Sequence, residues 1–347
     1  MLVTEDGRTW GGVSGGCLEA DVIFRAQRAI ADNAPDVACY ETHKEEDRFF
    51  GVGTGCDGVI YILIEPIAPT RSEPQQIGFL RDFLAQRHAA ACATLFRAPD
   101  DHSLGLPAGL RSPIGLRWTV SPDGRLAGGI GDSRLDDAIF GDLHRALRAG
   151  TSVTKTYATA HGEIKVLLEV LQPPLSLAVF GAGHDAVPVV RGAKELGWHV
   201  ALADHRPAMA QPTRFPGADT IFVGGTSAAV EQAKLDSQTC VLLMTHNYPH
   251  DLELLPLLLR SSARYVGVLG SRQRIDHLFD HLHKQGETFT VEQLARLHAP
   301  VGLDIGAETP EEIALSVLAE IKAVLSNRHG GLLRERQSPI HISESDA

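Results

Sequence analysis

Between residues 175 and 270 the chain carries five short, unbroken apolar runs: LSLAVFGAG at 175–183, HVALAD at 199–204, DTIFVG at 219–224, CVLLMTH at 240–246 and YVGVLG at 265–270. Unbroken runs, as opposed to alternating ones, belong to strands buried on both faces. Helical stretches separate most of them, one running to about Leu196 and others at 228–234, 250–262 and 271–285. Continuous strands alternating with helices leave little choice of architecture: a parallel sheet with helices on both faces. The sequence thus predicts an α/β chain with a Rossmann-like parallel-sheet domain at 175–326.

Gln172-Pro173-Pro174 marks the boundary, since neither proline can continue a helix or a ladder. Residues 1–172 are expected to form an α+β N-terminal domain. The tail at 327–347 has no sustained period and is expected to be flexible.

The N-terminal half contains an internal repeat. EDGRTWGGVSGGCLEADV at 5–22 matches PDGRLAGGIGDSRLDDAI at 122–139 with a constant offset of 117 residues. Asp6, Gly7, Arg8, Gly11, Gly12 and Leu18 recur as Asp123, Gly124, Arg125, Gly128, Gly129 and Leu135, and Glu19 pairs with Asp136. Further on, GVIYILIEPIAP at 58–69 echoes GEIKVLLEVLQP at 162–173. The unit reads as strand, DG turn, strand, glycine loop, helix and final apolar strand. The second copy is preceded by ACATLFRAP at 91–99, another strand, for which the first copy has no room. The expectation is that the first repeat lacks its initial strand, and that an in-frame upstream extension is more soluble.

Charge and cysteine content narrow the function classes. With 44% hydrophobic residues and a formal charge of −11, the chain is neither disordered nor a general nucleic-acid binder. Five cysteines, at 17, 39, 56, 92 and 240, are too few and too scattered for a disulfide scaffold. No apolar stretch reaches the ~18 residues of a membrane span, and MLVTEDGRTWGG does not read as a signal peptide. The expected setting is a reducing cytoplasm with free thiols and no membrane partner.

GAGHDA at 181–186 fits the dinucleotide-type glycine turn: Gly181 for the tight turn, Gly183 for phosphate approach, Ala186 for helix–strand packing. Asp204 ends the next strand, where a ribose-binding acid is expected. Thr245 and His246 close the fourth run; Gly270, Ser271 and Arg272 close the fifth. Carboxyl ends of strands line the ligand crevice of an open α/β sheet, so His184, Asp204, Arg206, His246 and Arg272 can converge on an anionic ligand. Each also has a local reading, with Ser271 as a helix cap, Asp251 as a first-turn acid and Arg206 in a surface ion pair. Thr309, Pro310 and Glu312 form a capping box. His277 and His281 have metal-ligand spacing but read as a solvated helix face for want of a third ligand.

In the first half, Cys17 follows two glycines and opens a helix, where free N–H groups favour a thiolate. Cys56 lies in the glycine loop GTGCDG. A soft metal, a persulfide or a redox thiol suits such positions, as does plain packing. Cys39, Cys92 and Cys240 are assigned to packing.

Taken together, SGGCLEADV, GCDGVIYILIEP, VFGAGHDAVPVV, LGWHVALADHRP, RFPGAD, MTHNYPHDLELL, YVGVLGSRQR and PVGLDIGAETPEEIALSVLAEI resemble the xanthine dehydrogenase accessory family of XdhC/CoxI type, in the family's order, over residues 1 to about 326. The resemblance implies an accessory factor for molybdenum hydroxylases. Such a factor binds the molybdenum cofactor (molybdopterin) as cargo, supports its sulfuration with a cysteine desulfurase and delivers it to the apo-enzyme. It is a chaperone more than a turnover enzyme. The family's cysteines map onto Cys17 and Cys56, which would handle molybdenum or sulfur, and its nucleotide-type turn onto Gly181, Gly183 and His184, followed by Asp204 and Arg206. Family members start further upstream than this chain. A second reading, from the glycine turn and Asp204, is an NAD(P)-dependent oxidoreductase. A thiol redox protein ranks third, because Cys17 and Cys56 form no CxxC motif. The glycine-rich first half leaves room for completion by a second copy, as in a homodimer.

Overall fold

The computed structural model describes residues 1–41, 59–67, 74–99 and 112–337. The chain divides into two compact units, Met1–Pro173 and Pro174–Ala347.

The N-terminal unit opens with β1 (Leu2–Val3), β2 (Thr9–Trp10), α1 (Glu19–Asp32), β3 (Asp36–Glu41) and β4 (Val59–Ile64). After α2 (Gln75–Ala85) come β5 (Ala90–Arg97), β6 (Arg117–Val120), β7 (Leu126–Gly128), α3 (Ser133–Ala149), β8 (Val153–Thr159) and β9 (Gly162–Leu171). The later strands form an antiparallel sheet in the order β7-β6-β5-β9-β8, with α3 on one face. Its core is built from Ala91, Ala93 and Leu95 of β5, Trp118, Ile139 and Leu143, with Val166 and Leu168 of β9. The earlier strands pair as β1-β2 and β3-β4, beside α1.

Stretches 117 residues apart carry the same local bonds. The Thr4 N–H donates to the Arg8 carbonyl and the Gly7 N–H to Thr4, just as Ser121 donates to Arg125 and Gly124 to Ser121. Helix α1 ends at Asn33 and α3 at Gly150, both left-handed, each bonding back to the two carbonyls three and four residues earlier. The glycine loop before each helix is braced by a carboxylate. Glu19 accepts the N–H groups of Val13 and Ser14 at 3.1 and 2.9 Å, and Asp136 those of Ile130 and Gly131 at 2.9 and 3.1 Å.

One cysteine assignment is corrected here. Cys92 and Cys240 are buried, but Cys39 is exposed. Strand β3 alternates, turning Ala38 to the core and Cys39 away from it. Cys39 lines a cavity of about 550 Å³ with Tyr61, Phe96 and Arg97.

The C-terminal unit runs β10 (Ser176–Phe180), α4 (Ala186–Glu195), β11 (His199–Asp204), β12 (Thr220–Val223), α5 (Thr226–Gln232), β13 (Thr239–Leu243), α6 (Tyr248–Arg260), β14 (Tyr265–Val268), α7 (Arg272–Lys284), α8 (Val291–Ala295), β15 (Leu297–His298) and α9 (Pro310–Leu325). All sheet pairings are parallel, in the order β12-β11-β10-β13-β14-β15. The five apolar runs are its first five strands. β15, too short to leave a periodic signal, is the sixth. Helices α5 and α6 each begin two residues before the expected positions, at Thr226 and Tyr248.

Both faces of this sheet are dry. One packs Val179, Leu202 and Leu242 against α4 and α9; the other packs Phe180, Val241 and Val266 against α6 and α7. The Thr309 capping box forms as expected, with the Thr309 hydroxyl accepting from the Glu312 N–H and Glu312 accepting from the Thr309 N–H. In the tail, Leu333–Glu335 makes one 3-10 turn, and residues 338–347 lie outside the described residues.

Candidate functional site

The order β12-β11-β10-β13 reverses direction on either side of β10, and a parallel sheet leaves its ligand crevice at such a switch. The glycine turn leaves β10 there. Gly181 has φ +119°, and a Cβ on it would strike the Met244 carbonyl just past β13, so only glycine lets the turn lie this close to the neighbouring strand.

Asp204, the last residue of β11, turns a buried carboxylate back under the turn. Its Oδ2 accepts the Ala182 N–H at 2.6 Å and Arg206 Nη2 at 2.8 Å; its Oδ1 accepts the Arg206 backbone N–H and Nε at 2.8 and 2.9 Å. Burial alone pushes this carboxyl up. The bonds from Arg206 and Ala182 outweigh it and hold it down to about 2. The acid expected to meet a ribose is therefore engaged within the protein on both oxygens.

His246 sits just after β13 in a left-handed conformation, φ 53°, uncommon outside glycine. Its Nε2 lies 2.7 Å from Oδ2 of Asp185, the residue just before α4. The other oxygen of Asp185 lies 2.5 Å from where a Cβ on Gly183 would stand. A carboxylate thus covers the approach that Gly183 opens, with His246 as its counter-group.

A second network ties the ends of β13 and β14. The Thr245 hydroxyl donates to buried Asp251, whose other oxygen accepts Arg274 Nη2 at 2.6 Å. Ser271 caps α7 by accepting the Arg274 N–H at 3.3 Å, and the Arg274 side chain runs beside Gly270. Gly181, Gly183, Asp204, Arg206, Thr245 and His246 therefore gather at one edge, with Gly270 and Ser271 joined to it through Arg274. His184 and Arg272 are exposed, on the turn and at the start of α7, and among the described residues neither enters these networks.

Sequence reasoning missed Asp185, Arg274 and Arg214, and read Asp251 only as a first-turn acid. Arg214, inside RFPGAD, donates through Nη1 to the carbonyls of Ala182 and Met209 at 3.1 and 2.6 Å. Its Nη2 is buried with no partner among the described residues. A buried guanidinium N–H with nothing to donate to, beside the glycine turn, is a group that an anionic ligand would satisfy.

In the N-terminal unit Cys17 is exposed, two residues before α1. The N–H groups expected to favour its thiolate go elsewhere. Glu19 collects those of Val13, Ser14, Gly16 and Leu18, together with the Ser14 hydroxyl. These bonds, from Ser14 above all, hold the Glu19 carboxyl far below the usual carboxylate range. Cys56 lies outside the described residues. Among the described residues there is no cluster of three His, Cys, Asp or Glu side chains that could hold a metal ion, and no helix is long and apolar enough to cross a membrane.

Residues 177–321 match the XdhC Rossmann domain, and residues 1–41 match the XdhC and CoxI family. The chain belongs to the XdhC/CoxI family. Among its relatives is a probable xanthine dehydrogenase subunit of Bacillus subtilis, 29% identical over 92% of this chain and 86% of that protein. The molybdenum cofactor insertion chaperone PaoD of Escherichia coli is 24% identical over 93% of this chain and 77% of its own length. A crystal structure described as a xanthine dehydrogenase from Bacillus halodurans is similar with a TM-score of 0.69 and 26% identity, covering 94% of this chain and 86% of that one.

Proposed function

We propose that this chain is an accessory factor for molybdenum hydroxylases of the xanthine dehydrogenase type: it binds the molybdenum cofactor as cargo, supports its sulfuration and delivers it to the apo-enzyme. One observation carries the reading. A relative named as a molybdenum cofactor insertion chaperone aligns over 93% of this chain, so the likeness extends well beyond a nucleotide-binding domain shared by many enzymes. The site chemistry supports it. The Nη2 of Arg214, unpartnered among the described residues, suits a pterin phosphate, and exposed Cys17 suits contact with molybdenum or sulfur. The partners on this reading are the apo-hydroxylase and a cysteine desulfurase, and the setting is the cytoplasm.

The NAD(P)-dependent oxidoreductase reading is weaker on the geometry. Asp204 has both oxygens engaged, and Asp185 places a negative charge where a diphosphate would dock. Mass spectrometry with pterin fluorescence of ligand released from gently purified protein tests the proposal. Molybdopterin released, together with higher activity of an apo-hydroxylase incubated with the loaded protein, supports it. A nicotinamide nucleotide, or no gain in hydroxylase activity, rejects it. Cys17→Ala is expected to impair sulfuration or retention of the cofactor while leaving thermal stability unchanged.

A further inference from the structure

Strand β5 does not keep an even register with β9. Leu95 faces Val166 and Arg97 faces the adjacent Lys165, so Phe96 is left over as a bulge. Strict alternation would send Phe96 and Arg97 to opposite faces. The bulge brings both onto the wall of the cavity of about 550 Å³ that Cys39 and Tyr61 also line. Cys39 and Tyr61 are cross-strand partners on β3 and β4. They stand on the face turned away from α1, whereas Tyr40, Ile60 and Ile62 on the other face pack with it.

The same bulge sets two cations opposite each other. Arg97 and Lys165 are direct cross-strand partners, a like-charge pairing that costs stability. Both reach one ring: Arg97 Nη1 donates to the Tyr61 hydroxyl at 3.4 Å, and Lys165 Nζ stands 5.9 Å from the ring centre. Among the described residues neither cation is paired with a carboxylate. Asp36, on the cavity wall, is held by Arg25 at 3.0 Å, and Glu41, at the end of β3, pairs with neither. Arg117, on the next strand of the same sheet, shows the ordinary arrangement, donating to Glu65 through both terminal nitrogens. Beside the two cations, Tyr61 and Phe96 stand with ring centres 5.3 Å apart, inclined by 49°.

We propose that this cavity binds a small anion carrying a flat aromatic ring. Arg97 meets the charge, Lys165 adds to the positive field, and Tyr61 and Phe96 take the ring. A like-charge pair with no carboxylate beside it is relieved by a bound anion, through a charge-assisted hydrogen bond from the guanidinium. Two inclined rings offer the faces and edges on which a flat ring packs. The volume falls in the small-molecule range of roughly 300–1,000 Å³. Cys39 reports on the site, since a bound ring shields its thiol. The site lies within the N-terminal unit and stands whether or not the cofactor reading does.

The test uses the 347-residue protein and follows alkylation of Cys39 by N-ethylmaleimide, read by peptide mass spectrometry, with naphthoate as the probe. The expected result is saturable protection of Cys39, with alkylation of Cys17 unchanged. Naphthamide has the ring without the charge, and decahydronaphthoate the charge without the flat ring. Each protects about tenfold less well. Arg97→Gln weakens protection by naphthoate about tenfold, as loss of one charge-assisted hydrogen bond does. It leaves the melting temperature unchanged or higher, because it relieves the like-charge pair. Lys165→Gln acts in the same direction with a smaller effect. A Cys39 that does not react in the free protein, or that naphthoate does not protect, overturns the proposal. So does equal protection by naphthamide, which would make the cavity merely apolar. Undiminished protection in Arg97→Gln, or a lower melting temperature, would make Arg97 a structural cation and overturn it as well.

Discussion

The two halves of the N-terminal unit use corresponding residues to different effect. In the second half Ile164 is fully buried in a five-stranded sheet; in the first, Ile60, 104 residues earlier, is half-buried on β4, which among the described residues pairs with β3 alone. The helices, their left-handed caps and the carboxylate-braced loops match, so local sequence suffices to build those pieces. Among the described residues, what differs is a strand in the place of β5.

The comparison breaks if truncation costs the same in both halves. Ile164→Ala is expected to destabilise by about 4 kcal/mol and Ile60→Ala by about 1 kcal/mol, measured by urea unfolding, because only the closed core leaves a cavity behind. Next come the braces. Asp136→Ala strands the N–H groups of Ile130 and Gly131 and the indole N–H of buried Trp118, at a cost of about 2 kcal/mol. Glu19→Ala has no buried indole to strand, so its effect is expected to be smaller and confined to faster amide exchange over residues 13–18. An equal global loss would show that the first half is as tightly closed as the second.

The C-terminal unit extends the comparison to a third braced glycine turn. The folded carboxyl of Asp204 lies below its ordinary value near 3.8, so its contribution to stability is present above that value and is lost as pH falls toward about 2. Asp204→Asn should flatten the acid limb of unfolding curves followed by C-terminal amides. An unchanged limb would mean that Arg206 and Ala182 do not hold it. The smallest effect on stability is at the thiols. Cys17→Ala and Cys39→Ala should each change it by less than about 0.5 kcal/mol. Thiol reagents should label both in the native protein, while Cys92 and Cys240, whose thiols burial pushes up, in the latter to about 12, react only on unfolding.

How much of this was legible in the sequence follows from the range of each interaction. The parallel sheet was legible because strands such as Cys240–Leu243 are buried on both faces and read as unbroken apolar runs. The two-residue strand Leu297–His298 carries no period and was not, whereas Leu2–Val3 and Thr9–Trp10, equally short, were legible through the DG turn they flank. Within the site, Gly181 and Asp204 were legible because their roles are local to one strand–turn–helix passage. The tie from Thr245 through Asp251 to Arg274 was not, since Arg274 arrives from the following strand–helix unit and leaves no local pattern. Cys39 is the avoidable miss: alternation in DVACYE turns it away from Ala38, and hence from the core.

The carboxylate under the glycine turn has a consequence for selectivity. Because Asp204 fixes the turn through four hydrogen bonds internal to the protein, the turn is ordered when the chain folds, and a ligand meets a surface already shaped for it. A molecule that needs the oxygens of Asp204, such as the vicinal diol of a ribose, must first dismantle that bracing. An anion that needs only the Nη2 of Arg214, unpartnered among the described residues, leaves it intact. On the proposed function, the fold would sort its visitors by how much internal order each disturbs.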